Sequence, residues 1–71
     1  MTQEISNREM ELGSGIAAFE TRQFARAAGL LSPLADAGEP EAQYRMAIMA
    51  QNGLGMTENP ELAFHYMKAA A

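Results

Sequence analysis

Apolar residues recur every three or four positions along most of this chain, which is the spacing of one face of an α-helix. The pattern appears four times, and no segment alternates apolar and polar residues on both sides of a turn as a strand pair would. Alanine is abundant and valine is absent, and this composition favours helix over strand. The pattern therefore predicts an all-α protein of four helices.

The first two predicted helices are separated by a very short connection. Ser6, followed three residues later by Glu9, is typical of a capping box, so the first helix is expected to begin at about residue 7 and to end at about Glu20. The next three residues, 21–23, interrupt the apolar pattern without a proline or glycine. The connection they form must therefore be tight.

The second predicted helix begins near Gln23 and ends before Gly38, a glycine suited to the left-handed conformation after a helix. Pro33 lies inside it and removes one backbone hydrogen bond. The apolar stripe continues in phase past this proline, so we expect a kink and not a break. The stripe consists of Phe24, Ala27, Leu30, Leu31, Leu34 and Ala35.

Prolines near their first turns mark the third and fourth predicted helices. The third opens with Glu39-Pro40-Glu41, where proline fits the first turn and the acids complement the helix dipole. The fourth opens with Asn59 as N-cap and Pro60 at the first helical position.

Between these two helices lies the segment QNGLGMTENP, residues 51–60, which allows three interpretations. A phosphate-binding loop should follow a buried strand and carry a lysine after its glycines, and this segment has neither. A hairpin at Asn52-Gly53 would need alternating strands on both sides. The residues on both sides of the segment fit one helix that ends at Gly53 and a second helix that begins at Asn59. We therefore predict a helix–helix connection.

The chain also contains a weak internal repeat. When Ala27 is placed on Ala63, 36 residues later, Leu31 falls on Met67 and the residues that follow agree in class. A repeat of this length is typical of stacked helix pairs.

The segment from Leu34 to Ala71 resembles a Sel1-like repeat. The positions that the family's pattern defines are occupied here by Gly38, Ala42, Gln43, Met46, Ala47, Gly53, Gly55, Ala63, Tyr66, Ala70 and Ala71. The segment from Gly15 to Gly38 resembles the tetratricopeptide-like helix pair that often precedes such a repeat. The chain departs from the family at Ala47, where a close-packing glycine is usual, and at Arg22-Gln23, where Gly-Asp is usual.

This resemblance implies a fold of two antiparallel helix pairs stacked as a short α-solenoid. The chain would then be one Sel1-like, TPR-like domain over residues 1–71, with a first helix pair at about 7–38 and a second pair at about 39–71. Proteins of this family are generally adaptors in assembly, signalling or protein turnover. The resemblance therefore implies a scaffold and not an enzyme.

The charge of the chain narrows the class of partner. Its net charge is −4, and its five basic residues are scattered, whereas nucleic acids and anionic membrane surfaces require clustered Lys and Arg. Cysteine is absent, which excludes disulfides and thiol chemistry. Neither a signal peptide nor an apolar segment of transmembrane length is visible, so we expect a cytoplasmic protein.

No residue pattern in the chain predicts catalysis or a cofactor. His65 is the only histidine, and with Glu61 it supplies at most two metal ligands, so we expect a surface histidine. The acid pairs Glu9/Glu11 and Glu39/Glu41 are expected to be solvated rather than to work as an acid–base pair. The six methionines, Met1, Met10, Met46, Met49, Met56 and Met67, are expected to fill the core.

By the resemblance, the first helix of each pair would line a concave groove. The groove positions are Glu9, Leu12, Ile16 and Phe19 on the first helix and Glu41, Tyr44, Ile48 and Gln51 on the third. Contiguous exposed apolar residues mark interaction sites. We therefore hypothesise a partner-binding groove for a protein or peptide, lined by Leu12, Ile16, Phe19, Glu41, Tyr44, Ile48 and Gln51. The alternative is that these residues close on one another as core.

The final helix suggests a second interaction surface. It carries Phe64, Tyr66 and Met67 with little charge beside them, and it lacks the polar cap with which helical arrays usually end. We expect either that further repeats follow or that these three residues form a self-association face, for which a homodimer is the simplest closed assembly.

Overall fold

A computed structural model describes the backbone of residues 2–71 and the side chains from Glu9 onward. Four helices account for most of the described residues: α1 (Thr2–Glu20), α2 (Phe24–Asp36), α3 (Pro40–Asn52) and α4 (Pro60–Ala70). No strand occurs in this part of the chain. The all-α prediction is confirmed.

Consecutive helices pack against each other, so that α2 lies against both α1 and α3, whereas α4 packs mainly on α3. The result is two antiparallel helix pairs stacked as a short α-solenoid. The smallest extent of the Cα positions is 14 Å, which fits two layers of helices whose axes lie about 10 Å apart. The core is made of small and flexible apolar residues: Ala18, Ala27, Leu31, Leu34, Ala35, Ala42, Met46, Ala47, Met49 and Tyr66.

The methionine prediction holds for only part of the set. Met46 and Met49 are buried in α3, and Met56 packs against the core from the loop before α4. Met10 is 68% exposed and Met67 is 38% exposed, so the prediction that they fill the core is wrong. Met1 lies outside the described residues.

The starts of α3 and α4 agree with the sequence-based prediction. The Glu39 side chain accepts a hydrogen bond from the backbone N–H of Glu41, and the Asn59 side chain accepts one from Leu62. The prediction for α1 is wrong, because its helix begins at Thr2 and therefore runs through Ser6 instead of starting there. The side chain of Ser6 lies outside the described residues.

Both α1 and α2 end in the same hydrogen-bonded motif. After α2, Gly38 has a φ of 98°, its N–H bonds to the carbonyl of Ala35, and the next N–H, of Glu39, bonds to Leu34. After α1, Arg22 has a φ of 65° and makes the equivalent bond to Phe19. This is the Schellman motif, in which one residue takes the left-handed conformation so that the last carbonyls find partners. Arg22 therefore adopts, in the connection between α1 and α2, the left-handed conformation that Gly38 adopts between α2 and α3.

The segment QNGLGMTENP joins two helices, as predicted. Gly53 has a φ of 66° and closes α3, and Gly55 also has a positive φ, of 71°. A side chain at Gly55 would meet the backbone of α2, because a Cβ built there lies 2.5 Å from the carbonyl carbon of Phe24. The second glycine therefore lets the loop after α3 lie directly on the first turn of α2.

Candidate protein-binding groove

The side chain of Arg45 connects α3 to the end of α1. Its guanidinium carbon lies 5.1 Å from the centre of the Phe19 ring, which is the geometry of a cation–π contact. One guanidinium nitrogen also lies 3.2 Å from a carboxylate oxygen of Glu41, one helical turn earlier. The Nε atom of Arg45 is buried without a hydrogen-bond partner among the described residues.

The seven predicted groove residues lie on two helices and differ in exposure. Those on α1 are half-buried, and Leu12 and Phe19 pack against the core. Phe19 also makes an edge-to-face contact with Phe24, with the ring centres 5.7 Å apart. The alternative that α1 residues act as core therefore holds for Leu12 and Phe19.

The α3 residues of the groove set remain accessible. Tyr44 is 47% exposed, Glu41 and Gln51 are exposed, and Ile48 is half-buried. Ile16 on α1 is half-buried too. The structure thus leaves a mixed apolar and polar surface whose most exposed large apolar side chain is Tyr44.

A cleft opens where the first half of α1 meets the turn between α2 and α3. Its volume is about 370 Å³, and it is lined by Glu9, Leu12, Leu34, Ala37, Gly38, Glu39 and Pro40. Only Glu9 and Leu12 of these were assigned to the groove from sequence. The others come from the end of α2 and from the turn, and no periodicity of α1 or α3 could have indicated them.

Gln51 lies apart from this cleft, in a second depression of about 280 Å³ formed with α4. The other lining residues are Pro60, Ala63, Phe64 and Met67. Phe64 is 68% exposed. The end of the predicted groove on α3 therefore borders the surface that the sequence suggested for self-association.

Tyr66 does not belong to that exposed surface, and its assignment to the self-association face was wrong. It is only 6% exposed, and its hydroxyl donates a hydrogen bond of 3.1 Å to a carboxylate oxygen of Asp36 at the end of α2. Burial, followed by the bond to Asp36 and its negative charge, raises the pKa of Tyr66 above its usual value of 10.0. The hydroxyl therefore stays protonated as a donor at neutral pH and ties α4 to α2.

The other residues considered for chemistry do not converge on a site. His65 is exposed, and its ring lies 5.6 Å from that of Tyr66. Among the described residues, no group of three or more His, Cys, Asp or Glu side chains is placed to hold a metal ion. Across the part of the chain that was described, no helix combines the length and the apolar character needed to cross a membrane.

Comparison with known proteins identifies the second half of the chain. Residues 40–71 match the family model of the Sel1 repeat, and the match begins with the first residue of α3. No curated protein and no solved structure gives a significant match.

Proposed function

We propose that this chain, whose residues 40–71 match the Sel1 repeat, is a non-catalytic adaptor of the Sel1-like class that binds a segment of a partner protein along α1 and α3. Sel1 repeats are generally protein–protein interaction modules. The binding surface would consist of the accessible part of the predicted groove: Ile16, Glu41, Tyr44, Ile48 and Gln51. Leu12 and Phe19 support it from below.

The observation that carries this proposal is the exposure of Tyr44. A tyrosine that is 47% exposed leaves much of its ring in water on a helix whose other large apolar residues are buried or half-buried. Aromatic residues of this kind supply a large share of the binding energy at protein interfaces, since they offer a wide apolar surface with few rotatable bonds. Ile16 and Ile48 would extend the contact on either side.

The test replaces Tyr44 with alanine. Peptides that bind the natural chain would first be selected from a displayed random library, and their affinities would then be measured by fluorescence polarisation. Tyr44→Ala should weaken binding about tenfold, the effect of losing an interfacial aromatic residue worth about 1.4 kcal/mol. The helical circular dichroism should be unchanged, because Tyr44 is not part of the core.

His65→Ala is the matched control, because His65 is an exposed aromatic residue on α4, outside the groove. This variant should bind the selected peptides as the natural chain does. If Tyr44→Ala binds as tightly as the control, the groove is not the binding surface and the proposal is wrong.

The exposure of α4 favours self-association as a second candidate function. Leu31 of α2 is completely buried, whereas Met67, the matching residue of the repeat, is 38% exposed. Met67 is more exposed than Leu31 because α4 packs mainly against one helix, whereas α2 packs between two. A second copy of the chain seated on Phe64 and Met67 would complete the burial.

A further inference from the structure

We propose that the cleft between α1 and the α2–α3 turn anchors a basic side chain, arginine or lysine, of the bound partner segment. The inference rests on the proposed function, since it assigns the chemistry of one end of the same groove. At about 370 Å³, the cleft falls within the usual size range of ligand pockets.

The cleft joins an apolar interior to an acidic edge. Leu12, Leu34 and Pro40 supply aliphatic surface, while Glu9 and Glu39 each bring a carboxylate. Arginine and lysine have a matching construction, because their hydrocarbon stems pack on apolar surface while their charged ends reach polar groups. A purely apolar side chain would contact only the aliphatic part of this lining.

The two helix ends beside the cleft have opposite effects on a cation. Ala37 and Gly38, the two residues directly after α2, line it, and the carbonyl end of a helix stabilises positive charge beside it. Glu39 and Pro40, at the start of α3, line it as well, and the amide end of a helix acts in the opposite direction. The preference for a cation therefore rests on the two carboxylates.

Glu39 remains available to a ligand although it caps α3. Its Oε1 atom accepts the hydrogen bond from the N–H of Glu41, and a carboxylate has a second oxygen that can accept from a guanidinium or ammonium group. Glu41 has a cationic partner already, in Arg45. The described residues that line the cleft include no basic residue.

The opposite end of the first helix pair shows the reverse charge. A depression of about 300 Å³ near the α1–α2 connection is lined by Arg26 together with small and polar residues, and none of the described residues that line it is acidic. A basic side chain therefore finds complementary charge at the cleft and not at this depression. The net charge of −4 assists the encounter of a basic partner with the chain.

The test compares two peptide probes that differ in charge and hardly in shape. Acetyl-Leu-Arg-Leu-amide and its citrulline analogue, which is neutral, would be titrated into the full chain labelled with nitrogen-15. The arginine peptide should bind about fivefold more tightly, the effect of an exposed ion pair worth about 1 kcal/mol. It should shift the backbone amide signals of Leu12, Gly38 and Glu39.

The variant Glu9→Gln with Glu39→Gln should remove the preference for the arginine peptide while preserving the α3 cap, because the glutamine oxygen can still accept the bond from Glu41. Glu11→Gln with Glu61→Gln is the matched control: it removes the same two charges from exposed positions outside the cleft. The control should keep the preference, and addition of salt should reduce it in the natural chain.

Equal affinity for the two peptides, with shifts along the groove, would overturn the basic anchor and leave the groove proposal standing. Loss of the preference in the control variant would show that overall charge and not the cleft is responsible, and would overturn the inference as well. If neither peptide shifts the signals around the cleft, the inference is also wrong, and the Tyr44 experiment decides separately whether the groove binds peptides.

Discussion

Two glycines of α1 that are two positions apart have opposite surroundings. Gly15 is buried, and a Cβ built on it would lie 2.5 Å from the Cδ2 atom of Leu31 and 2.7 Å from its Cγ atom. Leu31 is completely buried, so its side chain would have to shift within the packed core to admit a Cβ at Gly15. Gly13 is exposed, and a Cβ there would meet nothing within 4 Å. Only Gly15 is thus required for α1 to approach α2.

This contrast predicts opposite effects of the same substitution. Gly15→Ala should lower the free energy of unfolding by about 1–2 kcal/mol, because overpacking against Leu31 exceeds the gain in helix propensity. Gly13→Ala should raise it by up to about 1 kcal/mol, because it gains propensity alone. Urea unfolding followed by circular dichroism measures both. Equal effects of the two substitutions would contradict the close approach of α1 and α2.

Tyr66 shows what a residue-level analysis of the sequence misses. Its neighbours Phe64, His65 and Met67 are exposed, and grouping Tyr66 with Phe64 and Met67 by size alone ignored that the helix turns by about 100° per residue. Helical spacing places Tyr66 on the face of the buried Ala63, but only the placement of α2 decides that its hydroxyl meets Asp36. By the same reasoning, the cation–π contact of Arg45 with Phe19 joins residues far apart in the sequence and could not be inferred from either helix alone.

At the level of the elements, some helices end at a glycine in the left-handed conformation, whereas α1 ends at an arginine in the same conformation. Gly38 and Gly53 were predicted as helix ends and have positive φ values. The end of α1 was predicted only as tight, because Arg22 carries no mark of the left-handed conformation that it adopts. For a residue with a Cβ atom, this conformation costs roughly 1–2 kcal/mol.

Arg22→Gly should therefore stabilise the chain. Glycine removes the strain of the left-handed conformation, and this strain is larger than the free-energy cost of the extra conformational entropy that glycine loses on folding. We therefore expect the free energy of unfolding to rise by about 0.5–1 kcal/mol. For a domain of this size, that corresponds to a rise in the melting temperature of roughly 2–8 °C. Thermal unfolding measures the change.

Arg22→Ala separates the backbone effect from the loss of charge. Alanine retains the Cβ atom and hence the strain, so this variant should not gain the stability of the glycine variant. Equal melting temperatures for the two variants would show that the conformation of residue 22 is not the cause.

At the scale of the whole molecule, α4 presents an uncovered apolar surface. The side chain of Phe64 is 68% exposed beside a depression of about 280 Å³, and exposed apolar surface of this kind marks interaction sites. A closed dimer would bury the same surface on both copies.

Phe64→Glu should convert a dimer of the chain into a monomer. The added charge would be costly to bury in an apolar interface, while the fold should persist because Phe64 is not part of the core. Light scattering coupled to gel filtration measures the mass, with His65→Ala as the control that should leave it unchanged. A natural chain that is monomeric at high concentration, or a variant with unchanged mass, would exclude this surface.

The sequence by itself determined the helical class, the four elements, most of their ends and the likeness to a Sel1 repeat. These features depend on local properties: apolar spacing, proline and glycine at helix ends, and side chains that cap the backbone next to them. The tertiary structure alone decided which glycine is required for packing, which tyrosine is buried, and that the end of α2 joins Glu9 and Glu39 around one cleft. Such contacts depend on how helices are rotated and placed relative to one another, and residues distant in the chain decide that placement jointly.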